Sequence, residues 1–133
     1  MKSRSELRDI VVKVIYQVNL LTEAKVDFDV KELITEQLEV ENEFVNTCVN
    51  GILENLKDLK KIANEYLNNW TIERLNKVDQ AILLLGIYEL KYLDTPSVVA
   101  INEAIEISKK YSDEAVTKMI NGVLDKVYHE VEK

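Results

Sequence analysis

The chain has 133 residues, 47% hydrophobic and 31% charged, proportions that exclude a disordered tail and a membrane-embedded protein and favour one soluble domain over residues 1–133. Three Gly and one Pro are too few to punctuate the turns of a sandwich or barrel, so long helices are expected. The formal net charge of −7 argues, as a whole-chain average, against a protein that holds nucleic acid by bulk charge.

Ser3-Arg4-Ser5-Glu6 is an S-x-x-E capping box that opens a first helix. Leu7, Ile10, Val11, Val14, Ile15, Val18 and Leu21 then recur at helical spacing and form one apolar face. A turn through Glu23 to Asp29 leads to a short helix with Val30, Leu33, Ile34 and Leu38 inward and Asp29 as its cap. Residues 23–43 hold eight acids and two lysines, which reads as a solvated face. A third helix carries Phe44, Val45, Cys48, Val49, Ile52 and Leu56. A fourth carries Leu59, Ile62, Ala63, Tyr66 and Leu67 and ends at Trp70, with the break between Asn55 and Asp58 and Asp58 as the cap.

The fifth segment, Thr71 to Leu93, is apolar all round at Ala81 to Ile87, which places it at the centre of the fold. Asp94-Thr95-Pro96-Ser97 is the one clear loop. Val99, Ile101, Ala104, Ile105 and Ser108 mark a sixth helix that ends near Tyr111. A seventh begins at Ser112 or Asp113 and carries Val116, Met119, Ile120, Val123, Leu124, Val127, Tyr128 and Val131 on one stripe. The pattern predicts an all-α domain of seven helices. Gly51, Gly86 and Gly122 fall within these helices and are expected to mark close approaches.

Chemistry is scarce. One Cys and one His leave no disulfide and no ordinary structural zinc site, so no metal or cofactor is expected. His129 stands in the last helix, where a surface role suits it better than a triad, and there is no P-loop or dinucleotide fingerprint. No catalytic residue is assigned and the chain does not read as an enzyme. The charged N-terminus and the short apolar run Ala81–Ile87 predict neither signal peptide nor membrane span, hence a cytoplasmic protein.

Binding features are subtler. Residues 1–20 hold Lys2, Arg4, Arg8 and Lys13 against Glu6 and Asp9, a net +2 that leaves −9 for the rest of the −7 total. Arg4 and Arg8 lie about 40° apart on the helix and flank the apolar stripe, suited to neighbouring phosphates or simply to a solvated helix start. Tyr16 projects away from the stripe, with Val12 beside it, and either covers another part of the domain or meets a partner. On the net charge of −7, a protein-interaction module or homodimer without nucleic-acid contact is the alternative.

Val99-Ala100-Ile101-Asn102-Glu103-Ala104-Ile105-Glu106 and Ile120-Asn121-Gly122-Val123-Leu124-Asp125 closely resemble the NusB family of transcription antitermination factors. Arg8, Tyr16-Gln17, Trp70-x-x-x-Arg74, Val78-Asp79, Ile82-Leu83, Tyr88-Glu89-Leu90 and Pro96 follow the family's order. A related domain begins a ribosomal RNA cytosine methyltransferase, but a chain of this length has no room for the methyltransferase, so the free-standing factor is expected. The resemblance implies two packed helical bundles and pairing with NusE, a small-subunit ribosomal protein. It further implies joint binding of boxA RNA in ribosomal RNA transcripts and entry into a complex with NusA and NusG on RNA polymerase.

Carried over by the resemblance, Lys2, Arg4 and Arg8 are phosphate contacts, Lys118, Met119 and Asn121 further RNA contacts, and Tyr16 and Asp79 contacts to NusE. The family often has an aromatic where Met119 stands and an Arg where Leu84 stands, departures that imply weaker RNA affinity without the partner. Asn102 and Glu103 are expected to be structural, with Asn102 in a buried polar link.

Overall fold

The computed structural model describes residues 2–68 and 70–131. Among these the chain forms seven α-helices and no strand: α1 (Arg4–Glu23), α2 (Val30–Gln37), α3 (Glu43–Glu54), α4 (Leu56–Tyr66), α5 (Lys77–Tyr92), α6 (Ser97–Tyr111) and α7 (Glu114–Val131), with a 3₁₀ turn at Ile72–Arg74.

The helix starts follow their caps. Ser3 Oγ accepts from the Glu6 N–H, and the Ser3 N–H donates to the Glu6 carboxylate at 2.9 Å, completing the capping box of α1. Asp29 accepts from Lys31 N at 2.9 Å and Asn42 from Val45 N at 3.0 Å, opening α2 and α3. The α3–α4 junction differs from expectation. Asn55 itself is the hinge residue, its side-chain amide donating to the Gly51 carbonyl at 2.8 Å. Asp58 caps nothing, because its carboxylate accepts from Lys91 Nζ at 2.7 Å and from the Tyr92 hydroxyl.

The fourth helix stops at Tyr66 rather than at Trp70, and α5 begins at Lys77 rather than at Thr71. Asn64 Oδ1 accepts from Ile72 N at 2.8 Å, and Ile72 is fully buried, so the chain is drawn into a 3₁₀ turn instead of continuing as helix. Trp70 is left half exposed beside that turn.

α5 is the axis of the fold. Every residue from Asp79 to Leu90 is buried, and the helix packs against α1, α3, α4, α6 and α7. α1 also packs on α2 and α3, while α7 packs on α4 and α6, so two groups of helices share α5. Two of the three glycines permit this packing. A Cβ on Gly51 would stand 2.0 Å from the Tyr88 hydroxyl, so the close neighbour is a side chain of α5. A Cβ on Gly86 would lie 2.9 Å from the methyls of Leu124. Gly122 is otherwise: nothing lies within 4 Å of where its Cβ would be, and the residue faces open space on α7.

Among the described residues no helix is long and apolar enough to cross a membrane. Cys48 is fully buried and burial pushes its thiol up to about 12, which leaves it a small inert hydrophobe. His129 is exposed, 3.7 Å from Asp125 one turn earlier.

Candidate nucleic-acid interface

The cations expected to meet RNA fall into two patches. The first is built where the start of α1 meets the start of α3. Lys2 and Arg4 are exposed there, and the Arg4 guanidinium lies 4.1 Å above the centre of the Phe44 ring. Phe44 is held in place because the Asn42 cap fixes the first turn of α3. Arg4 thus lines an open cleft of about 720 Å³ with Phe44, Thr47, Pro96 and Val99.

Arg8 does not stand open beside Arg4, as a phosphate contact would have to. Its residue exposure is 4%, and its guanidinium is committed to carboxylates inside the protein. Nε and Nη2 donate to the two oxygens of Glu89 at 2.8 and 2.9 Å, and Nη1 donates to Glu103 at 2.9 Å. Burial works against the Arg8 charge, but the hydrogen bonds and charge of Glu89, with those of Glu103, outweigh it and hold the group above its ordinary pKa. Thr95 adds a hydrogen bond to Glu89 at 2.9 Å, and Ser5 donates to Glu103. Glu103 is structural as expected, whereas Asn102 is exposed and forms no buried link. The network ties α1, α5, α6 and the Asp94–Ser97 loop together beneath Arg4.

The second patch lies on α7. Lys118 and Asn121 are exposed, and Met119 is half-buried against the core. Lys118, Gly122 and Lys126 recur at i, i+4 spacing along one face. That face borders a groove of about 300 Å³ with Trp70, Met119 and Leu67 on its walls, and Arg74 lies 4.8 Å from the centre of the Trp70 ring. α7 runs along α5 from the level of Asp79, which Ser112 meets just before α7, toward the level of Glu89, which Arg8 meets, with Leu124 packed on Gly86. Leu84, where an Arg is common in the resembling family, is fully buried and reaches neither patch.

The two residues expected to face a protein partner part company. Tyr16 is 37% exposed on α1, although its neighbour Val12 is fully covered. Asp79 is only 2% exposed and accepts a hydrogen bond from Ser112 Oγ, so its carboxylate is turned inward and offers no surface to a partner's cation. Burial raises the Asp79 pKa; the Ser112 hydrogen bond lowers it in part, and the nearby Asp113 charge raises it further. A carboxyl whose pKa is raised by folding contributes stability when protonated and loses it as pH climbs from the unfolded value through the folded one. Asp79→Asn is therefore expected to raise the thermal midpoint at pH 7 and to lose that advantage near pH 3, as circular dichroism melts across the range would show. An equal effect at both ends would contradict the burial-driven shift.

The inward turn of Arg8 had one sequence signal, the single acid Glu89 inside an otherwise apolar stretch of α5, since a buried charge requires a partner. Trp70 and Arg74 were visible as a spacing but without a role.

The profile of the NusB family matches residues 5–129. The "Transcription antitermination protein NusB" of Listeria innocua is 39% identical over 122 residues, covering 91% of this chain and 92% of that protein. The Campylobacter jejuni protein of the same name is 40% identical over 128 residues, covering 94% and 95%. Among solved structures, T. maritima NusB superposes with a TM-score of 0.87 at 32% identity, covering 99% of this chain and 94% of that one. A chain from the crystal structure of antitermination factors NusB and NusE in complex with dsRNA superposes with a TM-score of 0.82 at 26% identity, covering 96% of each.

Proposed function

The chain belongs to the NusB family, and from that we infer that it is a transcription antitermination factor that binds RNA together with NusE. The RNA is the boxA element of ribosomal RNA transcripts, and the assembly joins NusA and NusG on RNA polymerase in the cytoplasm. The observation that carries this reading is family likeness along nearly the whole chain, including similarity to a NusB chain seen with NusE and dsRNA.

In this reading the protein makes and breaks no bond. Lys2 and Arg4 on one patch and Lys118, Met119 and Asn121 on the other contact RNA, while Tyr16 contacts NusE. Arg8 acts as a positioning residue, holding the first turns of α1 on α5 and α6 so that Arg4 is presented over Phe44. The cations of the two patches are few in a chain of net charge −7, so tight binding relies on NusE to enlarge the basic surface, and the acidic remainder attracts that partner.

A salt titration tests the assignment. Labelled boxA RNA is expected to bind more tightly with NusE than without it. The double variant Arg4→Gln, Lys118→Gln should lower the magnitude of the slope of log K against log salt by about 1.4, two contacts at ~0.7 each for a single strand. An unchanged slope would remove both residues from the RNA contacts, and equal affinity with and without NusE would remove the partner from the mechanism.

A further inference from the structure

We propose that the groove between Trp70 and α7 is a nucleotide site for single-stranded RNA: an unpaired base stacks on Trp70 against Met119, and its phosphates meet Arg74, Lys118 and Lys126. The proposal rests on the RNA-binding function above and extends its α7 contacts, Lys118 and Met119, by Trp70, Arg74 and Lys126.

Three observations converge on the groove. The first is an aromatic in the open: Trp70 is 50% exposed, yet its backbone is anchored, with Trp70 N donating to the Leu67 carbonyl at 2.9 Å. The adjoining turn is pinned by the bonds of Ile72 to Asn64 and of Arg74 N to the Thr71 carbonyl. An indole on a fixed scaffold gives a stacking surface at little entropic cost, and stacking tolerates any base because each has a π-face. The second is space. Gly122 lies on the opposite wall and its Cβ position is open to 4 Å, so α7 leaves the groove unfilled where any larger side chain would enter it.

The third is charge. Lys118 and Lys126 lie one turn to either side of Gly122, and Arg74 stacks on Trp70. None of the three is in an ion pair among the described residues. Of the nearby acids, Glu73 is paired with Lys60 at 3.4 Å and Glu130 accepts from the Tyr66 hydroxyl at 2.8 Å, while Asp125 stands beside His129 and Glu114 lies one turn before Lys118. Three cations outside any ion pair around an exposed aromatic, in a chain of net charge −7, are complementary to a polyanion with stackable rings. Duplex RNA keeps its bases stacked on one another, so the occupant is an unpaired nucleotide.

Trp70 is the only tryptophan of the chain, which makes its emission a direct reporter. The chain, with and without NusE, is titrated with boxA RNA as a single strand and annealed to its complement. Trp70 emission and the anisotropy of end-labelled RNA are read together, with NusE alone as the baseline. Binding of the single strand is expected to quench Trp70, and the duplex to quench it less. Trp70→Leu and Gly122→Leu should each weaken single-strand affinity by about tenfold, the first by removing the stacking face and the second by filling the groove, while Trp70→Phe keeps most of it.

RNA that binds by anisotropy with unchanged Trp70 emission, and with wild-type affinity in both Leu variants, would overturn the groove and leave the antitermination reading standing. Failure of the wild-type chain to bind RNA even with NusE would overturn both. Quenching by NusE alone, with no further change on adding RNA, would assign the groove to the protein partner instead and overturn the proposal.

Discussion

Arg8→Met is expected to lose about 3–5 kcal/mol of folding stability, the cost of leaving a buried carboxylate without its cation. Glu89 is 1% exposed; Arg8 donates two hydrogen bonds to it at 2.8 and 2.9 Å, and Thr95 donates another at 2.9 Å. In a chain of 133 residues such a loss lowers the thermal midpoint by roughly 10 °C or more. Arg8→Met combined with Glu89→Gln should recover more than half of it, because the amide that replaces the carboxylate carries no charge and its oxygen still accepts from Thr95. Urea denaturation of the two variants measures both effects. If Arg8→Met left stability within about 1 kcal/mol of the parent and selectively abolished RNA binding, Arg8 would have to be returned to the phosphate contacts.

Gly51→Ala is expected to cost about 2–3 kcal/mol, since the new methyl would stand 2.0 Å from the hydroxyl and 2.3 Å from Cζ of Tyr88, a ring packed between α3 and α5. The ring has little room to retreat. It stacks on Tyr92 at 5.5 Å, and its hydroxyl faces the Thr47 carbonyl at 3.4 Å. Tyr88→Leu in the Gly51→Ala background should restore part of the loss by vacating that space. Gly122→Ala is the opposite case. With nothing within 4 Å of the new Cβ, it should stabilise the protein by about 1 kcal/mol, the ordinary helix preference of Ala over Gly. Stabilisation by both substitutions in chemical melts would show that helix propensity, and not the Tyr88 contact, governs both.

Three glycines within helices look alike along the chain, and periodicity assigns all three to close contacts, yet one is pressed by an aromatic ring, one by leucine methyls and one by nothing. Helix periodicity places a residue on a face of its own helix. It does not say whether another element covers that face.

The same limit separates the site residues. Arg4 and Arg8 share a side of α1 in any helical projection, and their spacing suits a pair of phosphate contacts. Only the packing of α5 and α6 reveals that Glu89 and Glu103 stand against Arg8 while Arg4 is left over Phe44. The family resemblance assigns Asp79 to a protein partner, but Ser112 from the α6–α7 turn closes over it. Val12 and Tyr16 neighbour each other on the face opposite the apolar stripe, and one is sealed while the other is open.

By itself the sequence determined the all-α class, the caps at Ser3 and Asp29, the central place of the segment around Ala81–Ile87, and the family. These rest on local periodicity, on cap chemistry within one turn, and on an ordered set of residues along the whole chain. What only the tertiary structure decided is which charges remain available. Contacts such as Arg8–Glu89 and Asp79–Ser112 join residues 81 and 33 positions apart, and a charge's solvation depends on those neighbours rather than on its place in its own helix. The same dependence put Trp70 outside the helix expected to hold it, beside the one helical glycine whose surface was left open.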